Sequence, residues 1–244
     1  NGIPGNDVAG LRSHYIVEER IINTTKYNFN STYNTSIAEN INFTAGVTYQ
    51  SQKNHYYKKL DDLLGGDFYV DINQFGERDF PTNPDAGQND LNNPNRIVTV
   101  GDKLGYNYDL NIKKGSVWMQ GVFKFRKMDF FVATEHSYTS FFRYGNVKTG
   151  LFKDDSYGKS TTYNFYNSGI KAGLTYKIDG RNYVFADGSY GSRAPYFENA
   201  FIAPRTRDFV QENLKSEENL STEVGYVLNA PKLKLRLNAY YTQF

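Results

Sequence analysis

Apolar and polar residues alternate in long runs along most of this chain, which marks strands whose two faces meet different surroundings. From Ile41 the apolar face reads Ile41, Phe43, Ala45, Val47, Tyr49, and the other face Asn42, Thr44, Gly46, Thr48, Gln50. Before it, Tyr27, Phe29, Tyr33 and Ile37 oppose Lys26, Asn28, Asn30, Thr32 and Asn34. Val117, Met119, Gly121 and Phe123 oppose Trp118, Gln120 and Lys124, and Ile170, Ala172, Leu174 and Tyr176 oppose Asn167, Lys171 and Thr175. Towards the end, Val224, Tyr226 and Leu228 oppose Ser221, Glu223 and Asn229, and Leu233, Leu235, Leu237 and Ala239 oppose Lys234, Arg236 and Asn238. The runs at 129–144 and 182–194 are less regular, but Glu135 with Arg143, and Asp187 with Arg193, still share a polar face. A helical period is confined to a turn or two around Tyr57–Leu64, so the pattern predicts an all-β chain of eight or nine strands, with a poorly marked first one at about 8–20.

Strand length narrows the architecture. Globular strands average about 5–6 residues, whereas these runs last about 11 to 16. Thirteen residues extend about 43 Å, which a tilt near 45° projects to roughly 30 Å, the hydrocarbon thickness of a bilayer. Tyr27, Tyr49, Tyr176, Tyr226 and Tyr241 sit at the ends of apolar faces, as interfacial aromatic girdles require. Connections sort in the same sense. Short turns fall at Ala38-Glu39-Asn40, Arg126-Lys127-Met128-Asp129, Asp179-Gly180-Arg181 and Asn229-Ala230-Pro231-Lys232. Long polar segments lie near 56–114, 145–161 and 195–217, the first taken to include 104–113. Short turns at one end and long loops at the other predict a transmembrane antiparallel β-barrel with periplasmic turns and extracellular loops. Residues 1–244 read as part of one such barrel domain, facing outer-membrane lipid. By strand parity Phe244 lies at the wrong end of its strand to be a terminal aromatic, so the chain is expected to be a slice of a larger barrel.

Composition changes the picture at few points. A formal charge of +2 gives no field for nucleic acid, and the absence of cysteine removes disulfides, thiolate metal sites and Cys nucleophiles. Twenty-one Tyr and 18 Phe beside a mean hydropathy of −0.64 suit strands with unlike faces. Asn1-Gly2-Ile3-Pro4-Gly5-Asn6 has no leader features. Candidate chemistry is sparse. His14, His55 and His136 have no spacing that suggests a metal site or triad. Asp61, Asp62, Asp67 and Asp71 form an acidic run, but Asp71-Ile72-Asn73-Gln74-Phe75-Gly76 departs from a calcium loop at Phe75, so they read as solvated loop surface. The expectation is therefore no catalytic residues, no metal and no cofactor.

Two groups of residues remain as candidates. Trp118, Lys124, Glu135, Arg143, Lys171, Asp187, Arg193, Glu223 and Arg236 are expected to point into the lumen, where a charged wall meets water or a plug. Tyr56, Tyr57, Phe68, Tyr69, Phe75, Phe80, Tyr157, Tyr196, Phe197 and Phe201 are expected in loops, where aromatics capture ligands at low entropy cost.

The segment Tyr183-Val184-Phe185-Ala186-Asp187-Gly188-Ser189-Tyr190-Gly191-Ser192-Arg193-Ala194-Pro195 resembles the upward strand ending in Arg-Ala-Pro of TonB-dependent outer-membrane receptors. The following Asn213-Leu214-Lys215-Ser216-Glu217 and Glu223-Val224-Gly225-Tyr226 resemble the next downward strand of that family. The block from Asp61-Asp62-Leu63-Leu64-Gly65-Gly66 to Asn92-Asn93-Pro94-Asn95-Arg96 is similar to a large extracellular loop of Bacteroidota members, the group that includes SusC-like transporters. The resemblance implies a barrel of about 22 strands with a plugged lumen. It also implies a non-enzymatic nutrient transporter of the Gram-negative cell outer membrane, energised through TonB by a plug segment, with an unknown nutrient ligand and a SusD-like surface lipoprotein as partners. Two other readings stay open: a small outer-membrane barrel enzyme, which needs a nucleophile and base on the loop side, and a soluble β-sandwich carbohydrate-binding module.

Overall fold

The computed structural model describes residues 7–244; the leader reading at Asn1–Asn6 lies outside the described residues. Strands in chain order are β1 (Val17–Ala38), β2 (Ile41–Asp62), β3 (Tyr69–Val70), β4 (Ile97–Val98), β5 (Lys103–Lys124), β6 (Met128–Gly145), β7 (Gly158–Lys159), β8 (Tyr163–Lys177), β9 (Asn182–Arg193), β10 (Glu217–Ala230) and β11 (Leu233–Gln243). The eight long strands form one antiparallel sheet in the order β1-β2-β5-β6-β8-β9-β10-β11, with β7 beside β6 and β3-β4 as a separate ribbon. Neighbours in sequence are neighbours in space, so β1 and β11 are the two edges of the sheet.

Local chemistry sets the short turns. In the β8–β9 turn the Asp179 carboxylate accepts from the Arg181 and Asn182 amides at 2.7 and 2.8 Å, and those bonds hold its pKa below the usual carboxylate range. The opposite ends are less regular. In the β2–β5 connection Asn73 Oδ1 caps the six-residue helix α1 (Gln74–Asp79) by accepting from the amides of Phe75 and Gly76.

Register carries the alternation across the whole sheet. Trp118 lies opposite Gly46 and Glu135, Glu135 opposite Gly169, Gly169 opposite Gly191, and Gly191 opposite Asn219. Residues two apart on each strand share that face, so one polar face and one apolar face run unbroken from β1 to β11. Phe29, Tyr33, Val47, Val117, Val132, Leu174 and Leu237 on the apolar face are all exposed. In water, apolar area of that extent would drive aggregation; against acyl chains it is at rest.

Four sequence expectations need correction. The 56–114 segment is not all connection: Tyr56 pairs with Tyr108, and β5 starts at Lys103, so 104–113 is strand. The helical period around Tyr57–Leu64 is β-strand up to Asp62. No separate strand covers 8–20; β1 begins at Val17 and runs for 22 residues. β1, β2 and β5 each hold 22 residues and β6 holds 18, well beyond the alternating runs. The physical reason is common to all four. About 10 residues suffice to cross a bilayer; beyond Tyr49 both faces of β2 meet water or loops, so the period fades while the ladder continues. A bulge adds to this. Between Tyr57↔Asn107 and Lys58↔Leu104 two extra β5 residues are accommodated at Gly105, whose φ of +64° suits glycine, and whose amide donates to Asp71 Oδ1 at 2.8 Å.

Candidate functional site: the inner face and its loop layer

All nine candidates expected in the lumen share the polar face of the sheet, as their register positions place them. Charges of both signs interleave there. Arg236 meets Glu223 at 3.1 Å, Arg193 meets Glu217 at 2.7 Å, and Lys177 meets Asp129 at 2.7 Å. These pairs are solvated and each contributes about 0–1 kcal/mol, so they shape the wall more than they stabilise it. Asn167 differs: it is buried, and its side-chain amide has no partner among the described residues.

Three aromatic rings lie flat on this wall. Each sits over the glycine directly opposite on the next strand: Trp118 over Gly46, Phe131 over Gly173, Phe185 over Gly225. A Cβ added at Gly46 would stand 2.6 Å from the indole. Gly46→Ala is therefore expected to tilt Trp118 off the wall at a cost of about 1–3 kcal/mol. The check is the emission of Trp118, the single tryptophan of these 244 residues, which should shift; an unchanged spectrum would show the ring was never seated there.

Towards the long connections the inner face turns apolar. Tyr108, Leu110, Phe141 and Phe165 form a buried cluster with Ala200 and Phe201 of the β9–β10 connection, and Tyr56, Tyr106, Phe197 and Leu214 pack around it. Tyr56 stacks on Tyr108 at 4.9 Å and 2°. The connection thus folds back over the wall instead of standing away from it.

Arg143 pins the arrangement. It is 1% exposed; its Nε donates to Pro204 O at 2.7 Å and its Nη1 to Ser156 O at 2.8 Å, while its guanidinium lies 5.2 Å from the Tyr108 ring. One side chain on β6 thereby holds both the β6–β8 and the β9–β10 connections. Gly145 leaves the space, since a Cβ there would fall 1.7 Å from Ser156 O. The β2–β5 connection joins the same layer: Leu91 N donates to Lys148 O at 2.7 Å, and Gly150 N to Gln88 O at 2.9 Å. All three long connections therefore interlock.

Asp208, in the β9–β10 connection, carries a raised pKa because it is buried and lies near Asp155, an effect that Arg143 partly offsets. A raised folded-state pKa means the layer favours the protonated carboxyl. Its stabilisation is complete below about pH 3.9, the ordinary Asp value, and is lost as pH rises through the raised value. Protection of 203–210 against hydrogen exchange, corrected for intrinsic rates, is expected to fall over that window. Asp208→Asn should flatten the dependence.

The loop aromatics divide sharply. Phe68, Tyr69 and Phe201 are buried inside the connections and are not available to a ligand; their hydrophobicity was spent on packing the loops. Tyr56 and Tyr57 are strand residues, and Tyr57 faces outward beside His55 and Lys103. Phe197 packs on the cluster that Phe201 completes. Phe75, Phe80, Tyr157 and Tyr196 remain more than half exposed. Nor is Asp71 solvated surface: it is buried and holds Arg96 at 2.6 Å, Asn89 at 2.8 Å and the Gly105 amide. Among the described residues no group of three or more His, Asp or Glu is placed to hold a metal. His136 Nδ1 meets Ser168 Oγ at 2.9 Å on the apolar face and Nε2 meets Thr134 Oγ1 at 3.5 Å; among the described residues no carboxylate bonds to the ring to orient it. The role of Arg143 escaped the sequence reading. Its signal was there in the inner face itself, which changes from polar to Tyr108, Leu110, Phe141 and Phe165 only where something covers it.

No protein-family model matches the sequence, and no curated protein does. Among solved structures, the copper transporter OprC is similar with a TM-score of 0.63 at 9% identity, over 91% of this chain and 30% of that chain. The ferric citrate transporter FecA, in its unliganded form, is similar with a TM-score of 0.55 at 7% identity, over 92% of this chain and 28% of that chain. At such identities the likeness concerns the fold, and this chain spans less than a third of either transporter's length. The fold is that of a stretch of transmembrane β-barrel wall, antiparallel along its length and roofed at one end by its own loops.

Proposed function

We propose that this chain is part of the barrel wall of a TonB-dependent transporter that carries a nutrient across the bacterial outer membrane. The observation that carries the reading is the pairing of two unlike faces on one sheet. One face is apolar and exposed; the other is charged and ends under a folded loop layer. The Arg-Ala-Pro and Glu-x-Gly-Tyr segments at 193–195 and 223–226 and the two transporter folds support it. On this reading further strands close the barrel, a plug packs on the wall that carries Trp118, Lys124, Glu135, Lys171, Asp187, Arg193, Glu223 and Arg236, and TonB acts through that plug. Substrate is captured by the exposed loop aromatics Phe75, Phe80, Tyr157 and Tyr196. The loop likeness at 61–66 and 92–96 points to the SusC-like branch, with a surface lipoprotein as partner.

The test is fractionation of source cells followed by intact mass measurement of the polypeptide carrying this sequence. A species several times 28.0 kDa in the outer membrane, released only by detergent, is the expected result, and uptake that stops when TonB is deleted completes it. A water-soluble species, or TonB-independent uptake, overturns the proposal.

A further inference from the structure

The charges of the inner face are not spread evenly across the sheet. From Asn28 to Ser36 on β1 and from Asn42 to Gln52 on β2, every inward side chain is an amide or a hydroxyl, and Gly46 has none. The register sets these rows against each other: Asn30 faces Thr48, Asn34 faces Thr44 and Ser36 faces Asn42. On β6 to β10 the same face carries Asp129, Glu135, Lys171, Asp187, Arg193 and Glu223. Between the two regions stands β5, where Trp118 lies over Gly46. The steps from Asn42 to Gln52, at about 3.4 Å each, make the uncharged lane about 34 Å long, enough for a tilted strand to cross the apolar band of a bilayer.

The hydrogen bonds along this lane join neutral groups. Thr44 Oγ1 donates to Asn34 Oδ1 at 3.2 Å and Ser36 Oγ to Asn42 Oδ1 at 2.8 Å. Towards the long connections, Gln50 Nε2 donates to Gln52 Oε1 at 3.1 Å, Gln52 Nε2 to Asn54 Oδ1 at 2.9 Å, and Asn54 Nδ2 to the Tyr56 hydroxyl at 3.4 Å. Tyr56 stacks on Tyr108, so this run of amides leads from the lane to the edge of the loop layer. A hydrogen bond between neutral groups is roughly half as strong as one to a charge, so water or a solute's own hydroxyls and amides replace it readily. A charged wall does the opposite. It holds the oppositely charged groups of whatever packs on it, and a solute that strips its water meets a high cost.

We infer that the uncharged lane of β1 and β2 is the path by which solute passes this wall, and that the solute is neutral and rich in hydroxyl or amide groups. The inference rests on the proposed transporter reading, in which a plug packs on the inner face. Charge decides between the two regions. Plug segments gripped through ion pairs stay on β6 to β10, and the lane is where that grip is weakest. Charge also decides the solute. An ion meets no counter-charge between Asn42 and Gln52, whereas a neutral solute exchanges its bonds to water for those amides and hydroxyls one step at a time.

The test uses the full-length protein carrying this chain, in whole cells and otherwise free of cysteine. Single cysteines are placed in the lane by Asn30→Cys, Thr32→Cys and Gln50→Cys, and on the charged part of the same face by Ser189→Cys and Ser221→Cys. Each variant is exposed to three methanethiosulfonates, one neutral (hydroxyethyl), one anionic (sulfonatoethyl) and one cationic (trimethylammonioethyl). Labelling is counted by mass spectrometry and each rate is divided by that of the reagent with a free thiol. The lane cysteines are expected to react with the neutral reagent at least about tenfold faster than those at 189 and 221, where reaction waits on local opening of the packed surface. Within the lane the neutral reagent should lead both charged ones. Lane rates that equal or trail those at 189 and 221, or a charged reagent that leads in the lane, overturn the inference while the transporter reading stands. A full-length protein found dissolved in water instead of in the outer membrane overturns both.

Discussion

Arg143→Leu is expected to free the loop layer from the inner face while the sheet stays folded. The guanidinium is buried and bridges carbonyls 48 residues apart in sequence, Ser156 and Pro204, each contact being 2.7–2.8 Å. Leucine fills part of the volume but leaves both carbonyls unpaired and removes the charge that offsets Asp208 and Asp155. Breaking a buried charged contact of this kind costs about 3–5 kcal/mol, roughly two to four orders of magnitude in the docking equilibrium. None of that falls on the ladder, because Arg143's backbone partners, Leu110 on β5 and Ser160 just beyond β7, remain. Hydrogen exchange should therefore accelerate across 197–211 and 153–157, with exchange in β8 to β11 unchanged. Arg143→Lys should fall between, since one ammonium cannot span both carbonyls as a planar fork does. Unchanged exchange in 197–211 would mean that the aromatic cluster alone holds the layer. Under the proposed function, the freed layer also loses its hold on substrate.

Val132→Arg and Ala133→Arg, neighbours in sequence, should behave oppositely. Val132 is on the outward face, between Gly121 and Ala172, and is 43% exposed. Ala133 is on the inner face between Gln120 and Lys171. An arginine at the bilayer midplane costs a transmembrane strand about 2–4 kcal/mol. At Ala133 the added charge meets water and the neighbouring Lys171, a like-charge contact on the scale of about 0.2–1 kcal/mol. Unfolding of the full-length barrel from lipid vesicles by guanidinium measures both. Equal costs at the two positions would remove the assignment of faces, and with it the membrane reading.

The faces behind Val132 and Ala133 are written in the period of two. Once Ile41 to Tyr49 alternate, no register other than the observed one keeps Phe43 and Val47 beside Gly121 and Val117. The same holds for the nine inner-face candidates, which the register gathers on one side. The loop layer had no such code. Phe68, Tyr69 and Phe201 read as ligand-capturing aromatics because, in a polar connection, an aromatic that packs and one that binds look alike. Tyr56 and the strand around it read as loop because alternation stops where the strand leaves the membrane, though its hydrogen bonds do not.

The sequence by itself therefore determined the all-β class, the direction each strand side chain takes, and the division into short turns and long connections. These follow from nearest-neighbour geometry, since a pleated strand between unlike solvents must alternate. The tertiary structure alone decided that strands run on to Asp62 and back from Lys103, and that three connections interlock in one layer held by Arg143. Each of these depends on contacts between residues distant in sequence. Their energy comes from burial and paired charges, which no local period records.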